Sequence, residues 1–322
     1  MSTIPTTFKS IQASYTVVGG KKVNRSHKYP EELTILILNR GGKYFRASMF
    51  QELEEMDVGE ILSIEGPSEA YDVEALARKH TSIRFLLLHD EANNGEKVNI
   101  GINEARGRYV LVMWNDMRIP AATFSSRFIE RIDEKNSLCT VPIVQNPKLE
   151  IIPSIMAPAF YDSHLKVLPL QPKKDGVPSL YPFDYAGIYH RKKFILTGGY
   201  DYGLKNSFWQ KMDFGFRSHM WGEHIVCNTG FKMEYSGEIP SEETTPDENY
   251  KIFYLKNLSV RYNGDGGYLP YSRFLRYFFK AGKNFVSAFK EFREVRKWVR
   301  INKYRFQQDA RSVTELWEDP EL

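Results

Sequence analysis

The run from Asn99 to Pro120, NIGINEARGRYVLVMWNDMRIP, limits what this chain can fold into more than any other stretch. Ile100, Asn103, Glu104 and Ala105 sit at positions a helix accepts, and Gly107 predicts its stop. Tyr109 to Met113 is then a continuous apolar run, the pattern of a strand covered on both faces. Polarity returns at Trp114, Asn115 and Asp116. In an open α/β sheet, ligands bind beyond the carboxyl ends of the strands, so Asp116 stands where a metal–phosphate complex would sit.

Upstream, strand and helix patterns alternate. Leu33–Leu38 reads as a buried strand ending in Asn39-Arg40, and residues 44–56 as a helix. Residues 61–64 give a second strand, 70–80 a helix, and 83–88 a third strand ending in His89-Asp90. This alternation predicts a mostly parallel, doubly wound sheet. Residues 1–30, rich in Ser, Thr, Gly and Lys, read as an irregular lead-in. Residues 137–185 carry many prolines and read as irregular, and long irregular segments are often functional loops. Order returns over 185–194, with a helix near 213–221.

Beyond Tyr268 basic residues interleave with aromatics, and Phe278, Phe285, Phe289, Phe292 and Val299 recur at helical spacing. Residues 268–322 are therefore expected to form basic amphipathic helices appended to a central unit, residues 31–267.

Composition excludes several classes. A net charge of +4 in 322 residues is too mild for a dedicated nucleic-acid binder. Cys139 and Cys227 are too few for a disulfide framework and lack zinc-ligand spacing, although one disulfide stays open. The first twenty residues have no apolar core of signal-peptide character, and no stretch has the apolar length of a bilayer span. The expectation is a cytoplasmic protein, soluble or peripheral on the inner face of a membrane.

Asn99, Gly101, Ile102, Ala105 and Gly107, followed by the strand end Trp114-Asn115-Asp116, resemble a signature of GT-A glycosyltransferases of family 2. There an N-x-G-(I/L)-x-x-A-x-G helix leads to a strand ending in Asp-x-Asp or Asn-x-Asp. The resemblance spans about residues 33–235. It implies a GT-A fold (nucleotide-diphospho-sugar transferase, Rossmann-like), a mixed sheet with flanking helices. It also implies a sugar moved from a nucleotide-sugar donor to a glycan or lipid-linked acceptor, with inversion, as in polysaccharide biosynthesis.

Such transfer needs donor recognition, neutralisation of the leaving diphosphate and deprotonation of the acceptor hydroxyl. By the resemblance, Asn39, Arg40 and Glu65 face the base and ribose. Glu65 stands where an Asp is usual and keeps the acceptor carboxylate. Asn94 and Lys97 lie in the third strand's loop, where Lys97 would approach a diphosphate as a point charge. Asn115 and Asp116 close the donor side, with Asp116 as ligand to Mn²⁺ or Mg²⁺. Trp114 replaces the first acidic residue of that motif. Where the family carries a late His, this chain offers Tyr262, and Arg261 beside it would supply positive charge.

On the acceptor side, Ala186-Gly187, His190 to Phe194 and Gly198-Gly199-Tyr200-Asp201 resemble the family's signature. Gly187, Asp201 and Arg217 are placed there. The family's Glu-Asp-x-Asp-Leu-x-x-Arg helix, whose first Asp is the catalytic base, appears here as Gln210-Lys211-Met212-Asp213-Phe214-Gly215-Phe216-Arg217. Three readings follow: Asp213 is the base, another carboxylate such as Asp201 or Glu223 serves, or the domain is a catalytically silent GT-A-like module that binds a glycan or partner. Asp213 and Arg217, four apart, also suit a helical ion pair. For the tail, packing on the central unit ranks first, an anionic membrane surface next and nucleic acid last.

Overall fold

The computed structural model describes residues 13–20, 33–40, 46–56, 58–68, 72–120, 123–124, 126–161, 164–282 and 284–317. In chain order the first half is β1 (Tyr15–Gly19), β2 (Leu33–Leu38), α1 (Arg46–Glu55), β3 (Glu60–Glu65), α2 (Val73–Lys79), β4 (Ile83–Leu88), α3 (Asn94–Glu104) and β5 (Tyr109–Trp114). β2 lies between β3 and β5, with β4 outside β3, all parallel. Every position of β2 and β5 is buried, as their unbroken apolar runs require. The Asn93 side chain caps α3 by accepting from Glu96 N, and the helix stops at Glu104, ahead of Gly107. Gly101 brings α3 onto β2: a Cβ there would lie 2.3 Å from Leu36 Cδ2.

The lead-in is not wholly irregular. β1 runs antiparallel to β4 at the sheet edge, Tyr15 opposite Leu88 and Gly19 opposite Arg84. Its signal is one short aromatic and β-branched run against two glycines, and the strand exists only because β4 offers an edge. Residues 1–12 and 21–30 lie outside the described residues.

The second half is β6 (Met117–Arg118), α4 (Ser126–Lys135), β7 (Cys139–Gln145), β8 (Ile155–Tyr161), β9 (His164–Leu170), β10 (Gly187–His190), α5 (Arg191–Thr197), α6 (Ser207–Met220) and β11 (Ile225–Tyr235). The nine-stranded sheet runs β1-β4-β3-β2-β5-β10-β7-β11-β6. β10 is antiparallel to both β5 and β7, and β7 pairs parallel with β11. The sheet is therefore mixed, as the resemblance implies, where the strand–helix alternation alone predicts a mostly parallel one. Gly187 lets β10 close on β7, since a Cβ would meet Cys139 Sγ at 2.8 Å and Thr140 O at 3.0 Å.

Residues 137–185 also prove more regular than their prolines suggest. β7 is an interior strand, and Pro142 falls where the β7–β11 register shifts between Cys227 and Lys232, so no ladder bond is lost to it. Pro158 and Pro169 lie in the two-stranded β8–β9 hairpin, an all-edge sheet that tolerates them. Cys139 and Cys227 are both buried free thiols.

The chain ends with α7 (Glu248–Phe253), a π-helical turn (Tyr254–Leu258), β12 (Arg261–Tyr262), β13 (Gly267–Tyr268), α8 (Arg273–Ala281), α9 (Phe285–Ile301) and α10 (Ala310–Glu315). The boundary expected after residue 267 cuts β13, which pairs with β12. α8 and α9 bury Phe274, Tyr277, Phe292, Val295 and Val299. Trp298 stacks on Trp221 at the end of α6, 6.1 Å between ring centroids. Gln307 N donates to Met220 O at 2.8 Å. These helices share one core with the sheet. Among the described residues no helix is long and apolar enough to cross a membrane.

His219 on α6 is buried, with Nε2 3.0 Å from Ser179 O and its ring edge-on to Trp317. Burial pushes its pKa down to about 4. The native state thus keeps it neutral while the unfolded chain takes a proton near the ordinary value of 6.5. Stability is complete above that value and falls as pH drops toward 4, by about 3 kcal/mol. Urea unfolding across this range is expected to show that loss in the wild type and a markedly flatter profile in His219→Gln.

Candidate functional site

A cavity of about 510 Å³ opens beyond the carboxyl ends of β2 and β5, between the first turns of α3 and α6. Its wall includes Asn39, Arg40, Lys97, Trp114, Asp184, Lys211 and Glu242. The strand ends are stitched together: Asn115 N donates to Leu38 O at 2.9 Å, and Arg40 N donates to Asn115 Oδ1 at 3.1 Å.

Arg40 is the hub. Its Nε donates to Asp116 Oδ2 at 2.9 Å and its Nη2 to Asp116 Oδ1 at 3.1 Å, a bidentate fork. Nη1 lies 2.6 Å from Asp184 Oδ2. The guanidinium also sits over the Trp114 ring, 4.3 Å from its centroid, and 5.6 Å from that of Tyr235. Burial works against its charge, but the hydrogen bond to Asp116 and the charges of Asp184 and Asp116 outweigh it and raise the pKa.

Asp184 is fixed from two further sides. Tyr235 OH donates to Oδ2 at 2.7 Å, and Trp114 Nε1 donates to the Asp184 carbonyl at 2.8 Å. Burial raises the Asp184 carboxyl above the ordinary range, while the charges of Arg40 and Lys211 pull it back. Asp184 and Tyr185 both have left-handed backbones, φ 49° and 62°. Such a conformation in a residue with a Cβ costs about 1–3 kcal/mol and persists where surrounding bonds over-determine it.

Of the residues expected from sequence, Asn39, Arg40, Asn94 and Lys97 line this cavity. Asn115 and Asp116 brace it through Arg40. Asn39 Nδ2 donates to Ile64 O at 2.8 Å, holding the ends of β2 and β3 together. Glu65 is fully buried and accepts from Ser63 Oγ at 2.6 Å; it does not line the cavity, so direct ribose contact does not follow from its position. Gly187 is a sheet-packing residue in β10.

Asp201, Asp213 and Arg217 lie together, but behind the cavity. Lys256 Nζ, with no exposed surface, sits 2.7 Å from Asp201 Oδ2 and 2.8 Å from Asp213 Oδ1. Asn257 Nδ2 donates to Asp213 Oδ1 at 2.9 Å, and Arg217 Nη2 lies 3.6 Å from Asp213 Oδ2. Arg217 also donates to Gly199 O. Asp213 has no exposed surface and does not reach the cavity wall. Its expected place as base is thus corrected: the carboxylate turns inward to Lys256. Asp201 is held the same way, and Glu223 pairs with Lys193 at 2.9 Å.

Gln210 and Lys211, where α6 departs from the resembled signature, each have partners of their own. Gln210 is a buried cross-link. Its Oε1 accepts from Gly95 N at 2.9 Å and Tyr185 OH at 2.8 Å. Its Nε2 donates to Asn93 Oδ1 and the carbonyls of Asp201 and Leu204. An amide is needed here because both donor and acceptor capacity are used. Lys211 reaches the cavity, pairs with Glu242 and lies 5.2 Å from the Tyr185 ring centroid. Tyr181 OH donates to Glu242 Oε2 at 2.9 Å.

Sequence reasoning missed Asp184, Tyr235 and Glu242. Tyr235 ends a strand at the same sheet edge and was findable by that rule. Asp184 lies in the proline-rich stretch and Glu242 in a polar run, and neither carries a local signal.

Mn²⁺ or Mg²⁺ needs oxygen ligands with open positions. Both Asp116 oxygens accept from Arg40, and Asp184 Oδ2 takes Arg40 and Tyr235. Tyr262 OH donates to Gly264 O, and Arg261 faces Asp309. Among the described residues no group of three or more His, Cys, Asp and Glu is arranged to hold a metal. In this arrangement the donor set does not fit a resident divalent ion.

The sheet order, the cavity at its carboxyl edge and the flanking helices define the GT-A fold of glycosyltransferases. No family model and no curated protein matches the chain. Among solved structures it is similar to GalNAc-T7 with UDP, GalNAc and Mn²⁺, at TM-score 0.59 and 14% identity, over 89% of this chain and 58% of that one. It is also similar to S. aureus TarS, at TM-score 0.50 and 13% identity, over 90% of this chain and 46% of that one. The chain thus spans about half the length of these two proteins.

Removing the ammonium from the buried cluster leaves two carboxylates facing each other. Lys256→Met is expected to cost about 3–5 kcal/mol in urea unfolding, because an uncompensated buried charge remains. A cost within about 1 kcal/mol would reject the cluster as a structural anchor.

Proposed function

We propose that this protein is a glycosyltransferase that takes a nucleotide-sugar donor in the Arg40 cavity and passes the hexosyl group to a glycan or lipid-linked hydroxyl. The observation that carries the reading is one convergence. Arg40, Lys97 and Lys211 line one cavity with Glu242, which Lys211 and Tyr181 pin, at the carboxyl edge of a GT-A sheet. The donor diphosphate lies toward the cations. Glu242 stands as general base, supplying from a neighbouring loop the acid that Lys211 displaces from α6. The acceptor oxygen forms a bond to the anomeric carbon as the carbon–phosphate-oxygen bond breaks. The electron pair leaves on the diphosphate, and the acceptor proton passes to Glu242. One displacement inverts the anomeric centre.

A second reading is favoured by Lys211 itself. A cation at the position where the family carries its base suits a silent domain that binds a sugar nucleotide or glycan without turnover. Peripheral attachment to an anionic membrane is supported by Leu275, Phe279, Phe285 and Val286, exposed near the α8–α9 turn beside Arg276 and Lys280.

Calorimetric titration with a panel of nucleotide sugars, paired with release of nucleoside diphosphate, separates these readings. The enzyme reading expects binding and turnover, with Glu242→Gln losing about 10²–10⁴-fold in kcat. Donor affinity should stay within about threefold, since a base acts on the transition state and not on donor binding. Binding without turnover in the wild type selects the silent domain, and no binding across the panel rejects both.

A further inference from the structure

The geometry points to Arg40 as the resident cation of this site, occupying the place between Asp116 and Asp184 that a divalent ion would take. The inference accepts a diphosphate-bearing ligand from the proposed function, but its central test does not depend on it.

Three charge-assisted contacts define the position. Arg40 closes a fork on Asp116 and reaches Asp184 with its remaining terminal nitrogen. The two aspartates come from separate parts of the chain, one after β5 and one before β10, and meet only across this guanidinium. Their presentation is built, not incidental. Trp114 supplies a ring under the guanidinium and a donor to the Asp184 backbone, and Tyr235 supplies a phenol to the same carboxylate. Asp184 holds a left-handed backbone to do so. Trp114 stands where the resembled motif has its first acid, and its aromatic face favours a guanidinium where a carboxylate would favour a metal.

A guanidinium tied to two carboxylates still keeps N–H groups for an anion, because its donors outnumber the three contacts made here. Arg40 lines the cavity with Lys97 and Lys211, so a diphosphate there meets a planar cation flanked by two ammonium groups. The aspartates hold Arg40 in place, and the phosphate oxygens take its open edge. Arg40 thus offers hydrogen-bond donors at the place a divalent ion would occupy.

The test is direct Mn²⁺ binding, read by the loss of the free-ion electron paramagnetic resonance signal, with no nucleotide present. The wild type is expected to leave Mn²⁺ free at millimolar concentration. Arg40→Met, which frees the carboxylate pair, is expected to bind Mn²⁺ at least about tenfold more tightly, because two hard oxygen ligands become open. The double variant Arg40→Met with Asp116→Asn should lose that gain. Arg40→Lys, retaining a point charge, should bind no Mn²⁺ and controls for folding, as do matched thermal melts. In parallel, UDP binding to the wild type should be unchanged by EDTA and weakened at least about tenfold in Arg40→Met.

Tight Mn²⁺ binding by the wild type that Asp116→Asn abolishes would overturn the inference and return the ion to Asp116. So would an Arg40→Met protein that melts normally yet gains no Mn²⁺ affinity. Failure of UDP to bind under any condition would count against the nucleotide-sugar reading, while the Mn²⁺ result still decides the role of Arg40.

Discussion

Lys256, an ammonium with no exposed surface between Asp201 and Asp213, is the contact on which the rest of the site is hung. It joins the loop after α5, the middle of α6 and the π-helical turn after α7. Charges so placed lose their hydration, and only close, mutual pairing offsets that loss. The cluster therefore tolerates little displacement. With α6 fixed at Asp213, the preceding turn of the same helix has no freedom either. Gln210 meets the amide of Gly95 at the start of α3, and Lys211 meets Glu242 at the cavity. Position is transmitted along α6 from a dry ionic core to a wet pocket.

The parallel half of the sheet was legible because burial on both faces forces unbroken apolar runs. β2, β4 and β5 lie within a residue of where Leu33–Leu38, Ile83–Leu88 and Tyr109–Met113 place them. The mixed half was not, for an equally physical reason. β7 hides a proline at a register shift, and β8 and β9 carry prolines that an isolated hairpin accepts. β1 takes its conformation from β4 rather than from its own residues. Around the cavity, Asp116 follows from the rule for sheet edges, and Asn39, Arg40 and Asn115 from the resemblance at neighbouring strand ends. Asp184 and Glu242 arrive from irregular chain, where no periodicity reports what a side chain faces. Asp213 and Arg217 make the helical ion pair that their four-residue spacing suits, whereas the base role came from the resemblance, which does not report whether that face meets solvent or core.

The fold and the motif residues bear differently on chemistry. Similarity to GalNAc-T7 and TarS at 13–14% identity speaks to architecture. What this chain does with that architecture rests on its own substitutions. Gln210 and Lys211 stand on α6, and Trp114 ends β5, at the positions where the resembled signature is acidic. Each has a partner that accounts for it: Gln210 with Gly95 and Tyr185, Lys211 with Glu242, Trp114 with Arg40. These three side chains are packed and paired, not left unsatisfied.

The paired left-handed residues Asp184 and Tyr185 set two demands against each other. A glycine at either position would relax the backbone and, judged by conformation alone, make the chain more comfortable. Yet the Asp184 carboxylate and the Tyr185 hydroxyl are what tether Arg40 and Gln210. Backbone comfort and side-chain anchorage therefore compete at this short corner, and the hydrogen bonds it makes are what hold its strain in place.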